Sequence, residues 1–356
     1  MSEPRLACAV LGASGYIGQH FVRLLHDHPG FELIAVVAGP HSRGRTLGDV
    51  WQLTEDAPKE WRSAKLEEAT PLRLQREGVR LVFSALPSGH AGAIERAISR
   101  RGIAVFSNAS DHRLDRDVPL LVPEVNADHL QLLASRRRGS APLVTNPNCS
   151  AAGLVLSLTP VWKMLAPKVV HVTTFQALSG AGFPGVSSLT VTDNVVPFID
   201  SEEEKIARES ARMLGRFAHG SVLSTKVDFL ANCARVGVRD GHLEAVTVEA
   251  TRSPSMQDLA RAWRKFDPLT DANLSTSPHP PVLLRPEPDR PQPLRDRWAG
   301  EPERARGMAV TVGRLRWDPP YLRYFALSHN AVRGGAGGSV LNAELALARG
   351  YLTARS

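Results

Sequence analysis

The chain is poor in cysteine and has no long hydrophobic run. Only three of its 356 residues are cysteines, Cys8, Cys149 and Cys233. An odd number of widely spaced cysteines forms neither a disulfide framework nor a zinc pattern, so we expect free thiols, no metal site and a reducing cytoplasm. No stretch approaches the roughly 18 apolar residues of a membrane span, and the N-terminus lacks the apolar core of a signal peptide. We therefore expect neither a membrane protein nor a secreted one.

A concentrated basic surface is also missing, although the formal net charge is +7 and the pI is 9.6. The one dense basic run, Arg136-Arg137-Arg138, has no interleaved aromatic residue and is typical of a solvated helix end. A primary role in nucleic-acid binding requires a localised basic face, so we exclude that role. Basicity spread along the chain suits small anionic ligands.

Strand-like and helix-like segments alternate over the first 150 residues, which predicts a parallel, doubly wound α/β sheet. From about residue 169 the strands are long and few helices intervene, which predicts an α+β domain with a large mixed or antiparallel sheet. A capping box at Ser255 opens a helix to about Phe266, and the proline-rich residues 278–302 are expected to form a loop. The predicted strands are Leu6–Leu11, Phe31–Ala38, Leu81–Ala85, Ile103–Phe106, Val169–Gln176, Val227–Val238, His242–Thr251, Gly307–Arg316 and Tyr321–Ser328.

The chain is long enough for two domains, one interrupting the other. We place the first at 1–149, completed by a C-terminal helical segment at 330–356, and the second at 150–329.

Glycines at positions 12, 15 and 18 follow the first strand and open a helix, which is the context of a Rossmann-type dinucleotide site. After the second strand there is no acidic residue to bind a ribose 2′-hydroxyl, whereas Ser42 and Arg43, with Arg45 as a further candidate, could bind a 2′-phosphate. NADP(H) is therefore the expected cofactor. The candidate cofactor-binding residues in this part of the chain are Gly12, Ser14, Gly15, Tyr16, Ile17, Ser42, Arg43 and Ser84.

Cys149 lies in Asn-Pro-Asn-Cys-Ser, between the end of a buried strand and an apolar run that can form a helix. A thiol at a helix N-terminus can have its pKa lowered from about 8.5 to ~3.5–7.5. A buried structural cysteine remains the alternative for this residue alone. His242 and Arg235 are candidate partners: if Asp240-Gly241 is a two-residue hairpin turn, residues 235 and 242 share a sheet face and could bracket one small substrate.

The chain resembles the aspartate-semialdehyde dehydrogenase family, specifically its archaeal and fungal branch. The resemblance covers more than 300 residues, and its order and spacing make chance improbable. It is carried by the segments Gly12–Gly18, Ser107–Ser110, Val118–Asn126, Asn146–Ser150, Gln176–Gly182, Asp193–Pro197, Glu202–Lys205, Asp240–His242 and His329–Gly334.

The resemblance implies reduction of L-aspartyl-4-phosphate to the semialdehyde with NADPH, or the reverse, through a thioacyl intermediate. The first domain then binds NADP and the second is catalytic and forms a homodimer or homotetramer. Cys149 corresponds to the nucleophile, His242 to the acid/base, Gln176 to the residue that orients the substrate, and Asn148 helps to position the acyl carbonyl. The implied substrate contacts are Arg235 for the α-carboxylate, Glu202 for the amine, and Lys205, Asn108 and Arg113 for the phosphate, while Ser179, Gly180 and Asn330 approach the nicotinamide.

Three departures from the family pattern leave the acyl substrate open. The chain has Gly237 where the family commonly has proline, Ser201 where it has glycine, and Gly335 where it has alanine. The alternatives are a paralogous malonyl-CoA reductase, an N-acetylglutamyl-phosphate reductase and a catalytically silent NADPH sensor. Without the resemblance, Glu202 and Lys205 are simply an exposed salt bridge across one helical turn.

Overall fold

A computed structural model describes residues 5–135 and 139–352, which form two compact units. One comprises the described residues of Met1–Leu121, Asp128–Asn146 and Gly335–Ser356, and the other comprises Val122–Ala127 and Pro147–Gly334. Relative to the predicted domain boundaries, residues 122–127, 147–149 and 330–334 group with the second unit. The run Arg136-Arg137-Arg138, predicted to be a helix end, lies outside the described residues. None of the helices in the described ranges is long and apolar enough to cross a membrane.

The strands form one sheet in each unit and a two-stranded ribbon. In chain order they are β1 (Leu6–Leu11), β2 (Phe31–Val37), β3 (Leu81–Ser84), β4 (Ala104–Ser107), β5 (Leu143–Thr145), β6 (Pro167–Gln176), β7 (Arg216–Ala218), β8 (Ser221–Leu223), β9 (Asp228–Arg235), β10 (His242–Ala250), β11 (Val282–Arg285), β12 (Val310–Asp318) and β13 (Tyr321–Ser328).

The α-helices range from a single turn to 17 residues. They are α1 (Tyr16–Leu25), α2 (Leu47–Val50), α3 (Lys59–Arg62), α4 (Pro71–Arg76), α5 (Ala91–Ser99), α6 (Pro123–Asn126), α7 (Cys149–Leu165), α8 (Ser188–Val191), α9 (Glu202–Met213), α10 (Met256–Lys265), α11 (Pro293–Asp296) and α12 (Gly337–Ala348). Turns of 3₁₀ helix lie at Pro40–Ser42, Ala127–Ser135, Leu178–Ala181, Thr270–Ala272 and Glu303–Ala305, and a π-helical turn lies at Val332–Ala336.

The first unit contains a five-stranded parallel sheet in the order β2-β1-β3-β4-β5. The predicted doubly wound fold is confirmed, and the four predicted strands are present with their ends shifted by no more than a residue. Helix α1 follows the glycine loop, as predicted, and buries Phe21, Leu24 and Leu25. The strand order reverses between β1 and β3, so the carboxyl ends of these two strands border the crevice in which such sheets bind ligands.

The second unit contains a six-stranded mixed sheet in the order β11-β12-β13-β10-β6-β9. The β6/β9 and β11/β12 pairs are parallel, and the other three pairs are antiparallel. Helix α7 is apolar on nearly all sides and packs in the core of this unit, where Trp263 of α10 also meets Tyr324 of β13 edge to face. The sheet presents one face to the helix that begins at Cys149.

The predicted hairpin at Asp240-Gly241 is wrong because β6 lies between β9 and β10. Strand β6 pairs in parallel with β9 and antiparallel with β10. Residues 236–239 cross the end of β6 and hydrogen-bond to it: the Val236 N–H donates to the Gln176 carbonyl, and the Leu178 N–H donates to the Val238 carbonyl. A connection that satisfies its backbone groups on a third strand leaves no tight turn between the first two.

The proline-rich residues 278–302 were expected to form a loop, but parts of this segment form regular secondary structure. Val282–Arg285 forms β11, and Pro293–Asp296 forms α11. Strand β11 is the edge of the sheet and pairs only with β12, so the prolines that flank it remove no ladder hydrogen bond.

Candidate active site

Cys149 is the first residue of α7, and Asn148 caps the helix. The Asn148 side-chain oxygen accepts hydrogen bonds from the Ser150 N–H at 2.9 Å and the Ala151 N–H at 3.0 Å. The strand-to-helix junction predicted around Cys149 is present, since β5 ends at Thr145. The half-buried thiol therefore lies at the positive end of a 17-residue helix.

His242, at the start of β10, contacts the cysteine. Its Nε2 lies 3.2 Å from the Cys149 Sγ, and its Nδ1 accepts a hydrogen bond of 3.0 Å from the Ala177 N–H. Because Nδ1 is an acceptor, the proton of the neutral ring is on Nε2 and points at the sulfur. Complete burial, together with the positive charge of Arg235 and the neighbouring His329, lowers the pKa of His242 to about 3. The imidazole therefore faces the Cys149 sulfur as a neutral N–H donor.

The depressed pKa of His242 predicts a stability that falls in acid. The imidazole titrates near 6.5 in the unfolded chain and near 3 when folded, so below about pH 6.5 the unfolded state binds a proton that the native state does not. The free energy of unfolding is then lost at up to ~1.4 kcal/mol per pH unit. We expect His242→Gln to remove this component, measured by urea unfolding of both proteins at about pH 7 and about pH 5. Parallel pH dependences would contradict the assigned burial of a neutral imidazole.

Arg235 is held over the same short segment as His242. Its Nη1 donates to the Ala177 carbonyl at 2.7 Å, so Ala177 binds the histidine through its N–H and the arginine through its oxygen. A Cβ atom on Gly180 would lie 2.7 Å from the Arg235 Nη1 and 3.1 Å from the His242 Cε1. The hairpin predicted between Arg235 and His242 is wrong. The two side chains are nevertheless close together, because both bind the Ala177 peptide in the turn after β6. Glycine at position 180 leaves the space in front of both side chains open.

Glu202 and Gln176 form a buried hydrogen-bonded set with Asn148. The Glu202 Oε1 accepts from the Gln176 Nε2 at 2.8 Å and from the Asn148 Nδ2 at 2.9 Å. Glu202 makes no ion pair with Lys205 within the described residues, so the simple salt-bridge interpretation fails; Lys205 is half-buried one turn further along α9. The structure thus brings together Asn148, Gln176 and Glu202 beside Cys149.

Ser179 and Asn330, predicted to approach the nicotinamide, are bonded to each other. The Asn330 Nδ2 donates to the Ser179 Oγ at 2.8 Å, and the Asn330 Oδ1 accepts from the Gly241 N–H at 2.9 Å. The Asn330 amide therefore links the turn after β6 to the turn before β10. His242 is the first residue after this second turn.

A second carboxyl group lies on the face of β10 that carries His242. Glu244 is two residues further along the strand, is fully buried, and makes no hydrogen bond through either carboxyl oxygen within the described part of the chain. Burial, and secondarily the charge of Glu202, raises the pKa of Glu244 well above its ordinary value. Burial therefore favours the neutral form of the Glu244 carboxyl group.

Two residues close to Cys149 escaped the sequence reasoning. A Cβ atom on Gly334 would lie 2.5 Å from the Cys149 Cβ, so the backbone at 334 contacts the nucleophile directly. Glu209, on α9, accepts the Asn148 N–H at 2.6 Å. The glycine-rich segment after Arg333 was a signal for the first, whereas Glu209 gave no local signal.

The glycine loop of the first unit has the geometry that a dinucleotide pyrophosphate requires. Gly12 has φ +76°, and a Cβ there would lie 2.6 Å from the Ala85 carbonyl oxygen; a Cβ on Gly18 would lie 2.1 Å from the Gly12 oxygen. Gly15 is the N-cap of α1 and has no side chain to cap the first amide groups of the helix. Such amides bind anionic phosphates, and the residues present fit the expected cofactor.

The other predicted cofactor residues of this unit lie around the carboxyl ends of its strands. Ser14, Tyr16 and Ile17 belong to the loop and first turn of α1, and Ser84 ends β3. Ser42 ends the 3₁₀ turn that follows β2, and Arg43 is exposed directly after it. No acidic residue lies between Val36 and Arg45.

Asn108 and Arg113, predicted to bind phosphate, are neighbours in the first unit. The Arg113 Nη2 donates to the Asn108 carbonyl at 2.7 Å. The Asn108 side chain accepts from the Asn146 Nδ2 at 3.2 Å and donates to the Ser339 Oγ at 3.1 Å. This hydrogen bonding holds the two predicted phosphate residues in a defined arrangement.

Comparison with known proteins agrees with this chemistry. The family model described as "Semialdehyde dehydrogenase, NAD binding domain" matches residues 7–133, and that described as "Semialdehyde dehydrogenase, dimerisation domain" matches residues 158–333. An aspartate-semialdehyde dehydrogenase of Archaeoglobus fulgidus is 43% identical over 347 residues, covering 96% of this chain and 98% of the relative. The chain belongs to the aspartate-semialdehyde dehydrogenase family.

Relatives of this family enzyme include two of particular interest. The crystal structure of aspartate semialdehyde dehydrogenase with NADP from Candida albicans has a TM-score of 0.86 at 32% identity and covers 98% of this chain and 100% of its own. A malonyl CoA reductase (NADP) of Metallosphaera sedula is 36% identical over 362 residues, covering 98% of this chain and 99% of the relative. The predicted family, α/β fold and nucleotide-binding domain are confirmed, and the chain contains the dimerisation domain of the family.

Proposed function

We propose that this enzyme converts L-aspartyl-4-phosphate to L-aspartate 4-semialdehyde with NADPH, reversibly, in aspartate-family amino-acid biosynthesis. The observation that carries the proposal is the contact between the Cys149 Sγ and the His242 Nε2 at the N-terminus of α7. Arg235 binds the peptide of Ala177, which also binds His242. A nucleophile, a hydrogen-bond donor and a carboxylate anchor are thereby combined on one side of the second unit.

The first half of the reaction is acyl transfer to sulfur. The Cys149 thiolate attacks the acyl carbon, the carbon–sulfur bond forms, and the bond to the phosphate oxygen breaks, so that inorganic phosphate leaves with the electron pair. The helix N-terminus and the His242 Nε2–H stabilise the thiolate before attack. The same N–H can then donate to the acyl oxygen as negative charge develops on it.

The second half releases the aldehyde from the sulfur. NADPH, when bound to the first unit, supplies the hydride that reduces the thioester carbon. The carbon–sulfur bond then breaks, the aldehyde carbonyl forms, and Cys149 leaves as a thiolate beside the Nε2–H of His242. Gln176 and Asn148, both bonded to Glu202, keep the surroundings of the sulfur rigid through both halves.

Substrate recognition is assigned to charged groups with defined supports. Arg235 binds the α-carboxylate through its guanidinium fork, and the second carboxylate oxygen of Glu202 receives the substrate ammonium group. Lys205 in the second unit, and Asn108 and Arg113 in the first, are proposed for the phosphate. Ser179, Gly180 and Asn330 are proposed to line the nicotinamide side.

NADP(H) is proposed as the cofactor because the segment after β2 offers Ser42 and Arg43 and no carboxylate. Arg43→Glu should weaken NADPH binding by at least about tenfold, since a carboxylate repels the 2′-phosphate and the guanidinium is lost. NADH binding should change little. Fluorescence titration of both nucleotides measures the effect, with Arg62→Glu, an exposed arginine on α3, as a control. Unchanged NADPH affinity would remove Arg43 from the cofactor site.

A malonyl-CoA reductase is the alternative that a specific observation favours, because one relative with that name is 36% identical to this chain. A malonyl group has no ammonium, so it leaves the carboxylate of Glu202 without a counter-charge. An N-acetylglutamyl-phosphate reductase fits the Asn-Pro-Asn-Cys segment less well, and a silent NADPH sensor would not need the Cys149–His242 contact.

One assay separates these functions. NADP⁺ reduction with L-aspartate semialdehyde should be rapid and should depend on phosphate. NADP⁺ reduction with malonate semialdehyde plus coenzyme A should be absent. The reverse pattern would replace the aspartyl substrate by a malonyl thioester. No turnover with either aldehyde would favour the sensor.

The assembly and cellular location form part of the same proposal. We assign a homodimer or homotetramer built through the dimerisation domain. A reducing cytoplasm is assigned because Cys8, Cys149 and Cys233 are odd in number and widely spaced, which is not the pattern of a disulfide framework.

A further inference from the structure

Helix α9 places a buried carboxylate against the residue that precedes the nucleophile. Glu209 is 3% exposed, and its Oε2 accepts the backbone N–H of Asn148 at 2.6 Å. A hydrogen bond from a peptide N–H to a carboxylate is charge-assisted and about twice as strong as one between neutral groups. Removal of the carboxylate would leave a buried N–H without its acceptor.

Every polar group of Asn148 is hydrogen-bonded, and α9 supplies two of the partners. Glu202 lies seven residues before Glu209, two helical turns away and on the same face, and accepts from the Asn148 Nδ2. The Asn148 side-chain oxygen caps α7, and its carbonyl oxygen accepts from the Ala152 N–H. The orientation of Cys149 is therefore set by one residue whose polar groups all have defined partners.

We propose that Glu209 is a positioning residue for the Cys149 thiol, acting through the Asn148 peptide. The proposal rests on the proposed role of Cys149 as the nucleophile. Glu209 itself bonds to the peptide before the cysteine and supports the turn from which Sγ points at the His242 Nε2. Displacement of a reacting group by about 1 Å can cost ~10²-fold in rate, so loss of this support should appear in turnover.

Three variants of the full chain separate positioning from folding. Glu209→Gln retains an acceptor oxygen in the same place without the charge, Glu209→Leu fills the volume without an acceptor, and Glu209→Ala removes both. Glu204→Ala is the matched control, because Glu204 is exposed on the same helix. For each protein we would measure kcat, KM, the fraction folded, and the rate at which iodoacetamide alkylates Cys149.

We expect Glu209→Leu and Glu209→Ala to lower kcat per folded enzyme by ~10- to 100-fold and to leave KM within about threefold. Glu209→Gln should recover most of the loss, and Glu204→Ala should match the unaltered chain. Alkylation of Cys149 should change with kcat in the native proteins and be identical in urea.

Three results would overturn the proposal. They are an unchanged kcat in the folded Leu and Ala variants, a Gln variant as impaired as Leu, and failure of both Leu and Ala to fold, which would make Glu209 a residue of the fold alone. Alkylation needs no substrate. An enzyme inactive on the semialdehyde would therefore contradict the proposed function while the alkylation comparison still decides the role of Glu209.

Discussion

Cys149→Ala should lose at least ~10⁴-fold in turnover, because no other group in the described site can form the acyl intermediate. The variant should fold normally, since alanine is favourable in the first turn of a helix and the Asn148 cap does not involve the sulfur. It should also keep its affinity for NADPH, whose proposed residues in the glycine loop are untouched. Steady-state turnover and nucleotide titration on the same preparation measure both expectations.

Cys233→Ala provides the matched control for the nucleophile. Cys233 is buried on β9, and desolvation raises the pKa of its thiol to about 12, so it is a thiol at neutral pH. This variant should retain its turnover within a few-fold and be alkylated at Cys149 only. Residual turnover of Cys149→Ala above one part in a hundred would mean that the chemistry does not pass through a thioacyl enzyme.

Arg333→Ala should destabilise the second unit by about 3–5 kcal/mol, which is the cost of removing one partner of a buried ion pair. The Arg333 guanidinium is 2% exposed and donates to both carboxylate oxygens of Glu124, from Nη1 at 2.8 Å and from Nη2 at 2.5 Å. The variant leaves the Glu124 carboxylate buried and without its counter-charge. Urea unfolding at constant pH measures the loss.

Arg323→Ala is the corresponding control, because its ion pair with Asp318 is exposed. That pair should contribute less than about 1 kcal/mol. A loss for Arg333→Ala no larger than that of Arg323→Ala would show that the buried pair adds little. Gly334 follows Arg333 and contacts Cys149, so we also expect turnover to fall in the folded fraction of Arg333→Ala.

Local pattern was sufficient for much of the fold. The strand ends in the first unit lie within a residue of their predictions, and α10 begins directly after its predicted cap, Ser255. These features depend on hydrophobic periodicity, capping and turn chemistry over a few residues, all of which are visible in a linear sequence.

Strand pairing was not accessible in the same way. Arg235 and His242 are close in sequence, which made a hairpin the simplest prediction, but β6 from 60 residues earlier lies between their strands. Both side chains are held in the site by hydrogen bonds to the peptide of Ala177, directly after that strand. No local pattern identifies which distant strand fills such a gap.

The protonation of the site also depends on the tertiary structure. Burial and the Ala177 N–H keep His242 neutral with its proton on Nε2. Burial also raises the pKa of Glu244 on the same strand. Desolvation is the sum of everything packed around a group, and this sum exists only in the folded chain.

By itself, the sequence determined the family, the two fold classes, the glycine loop and the position of Cys149 at the start of a helix, because each follows from local patterns or from the order of motifs along the chain. The tertiary structure alone decided three features. They are the neutral form of His242, the hydrogen bonds of His242 and Arg235 to the Ala177 peptide, and the hydrogen bond of Glu209 to the Asn148 N–H before the nucleophile. These arise from segments that are distant along the chain and meet only when the six-stranded sheet and α9 pack around α7.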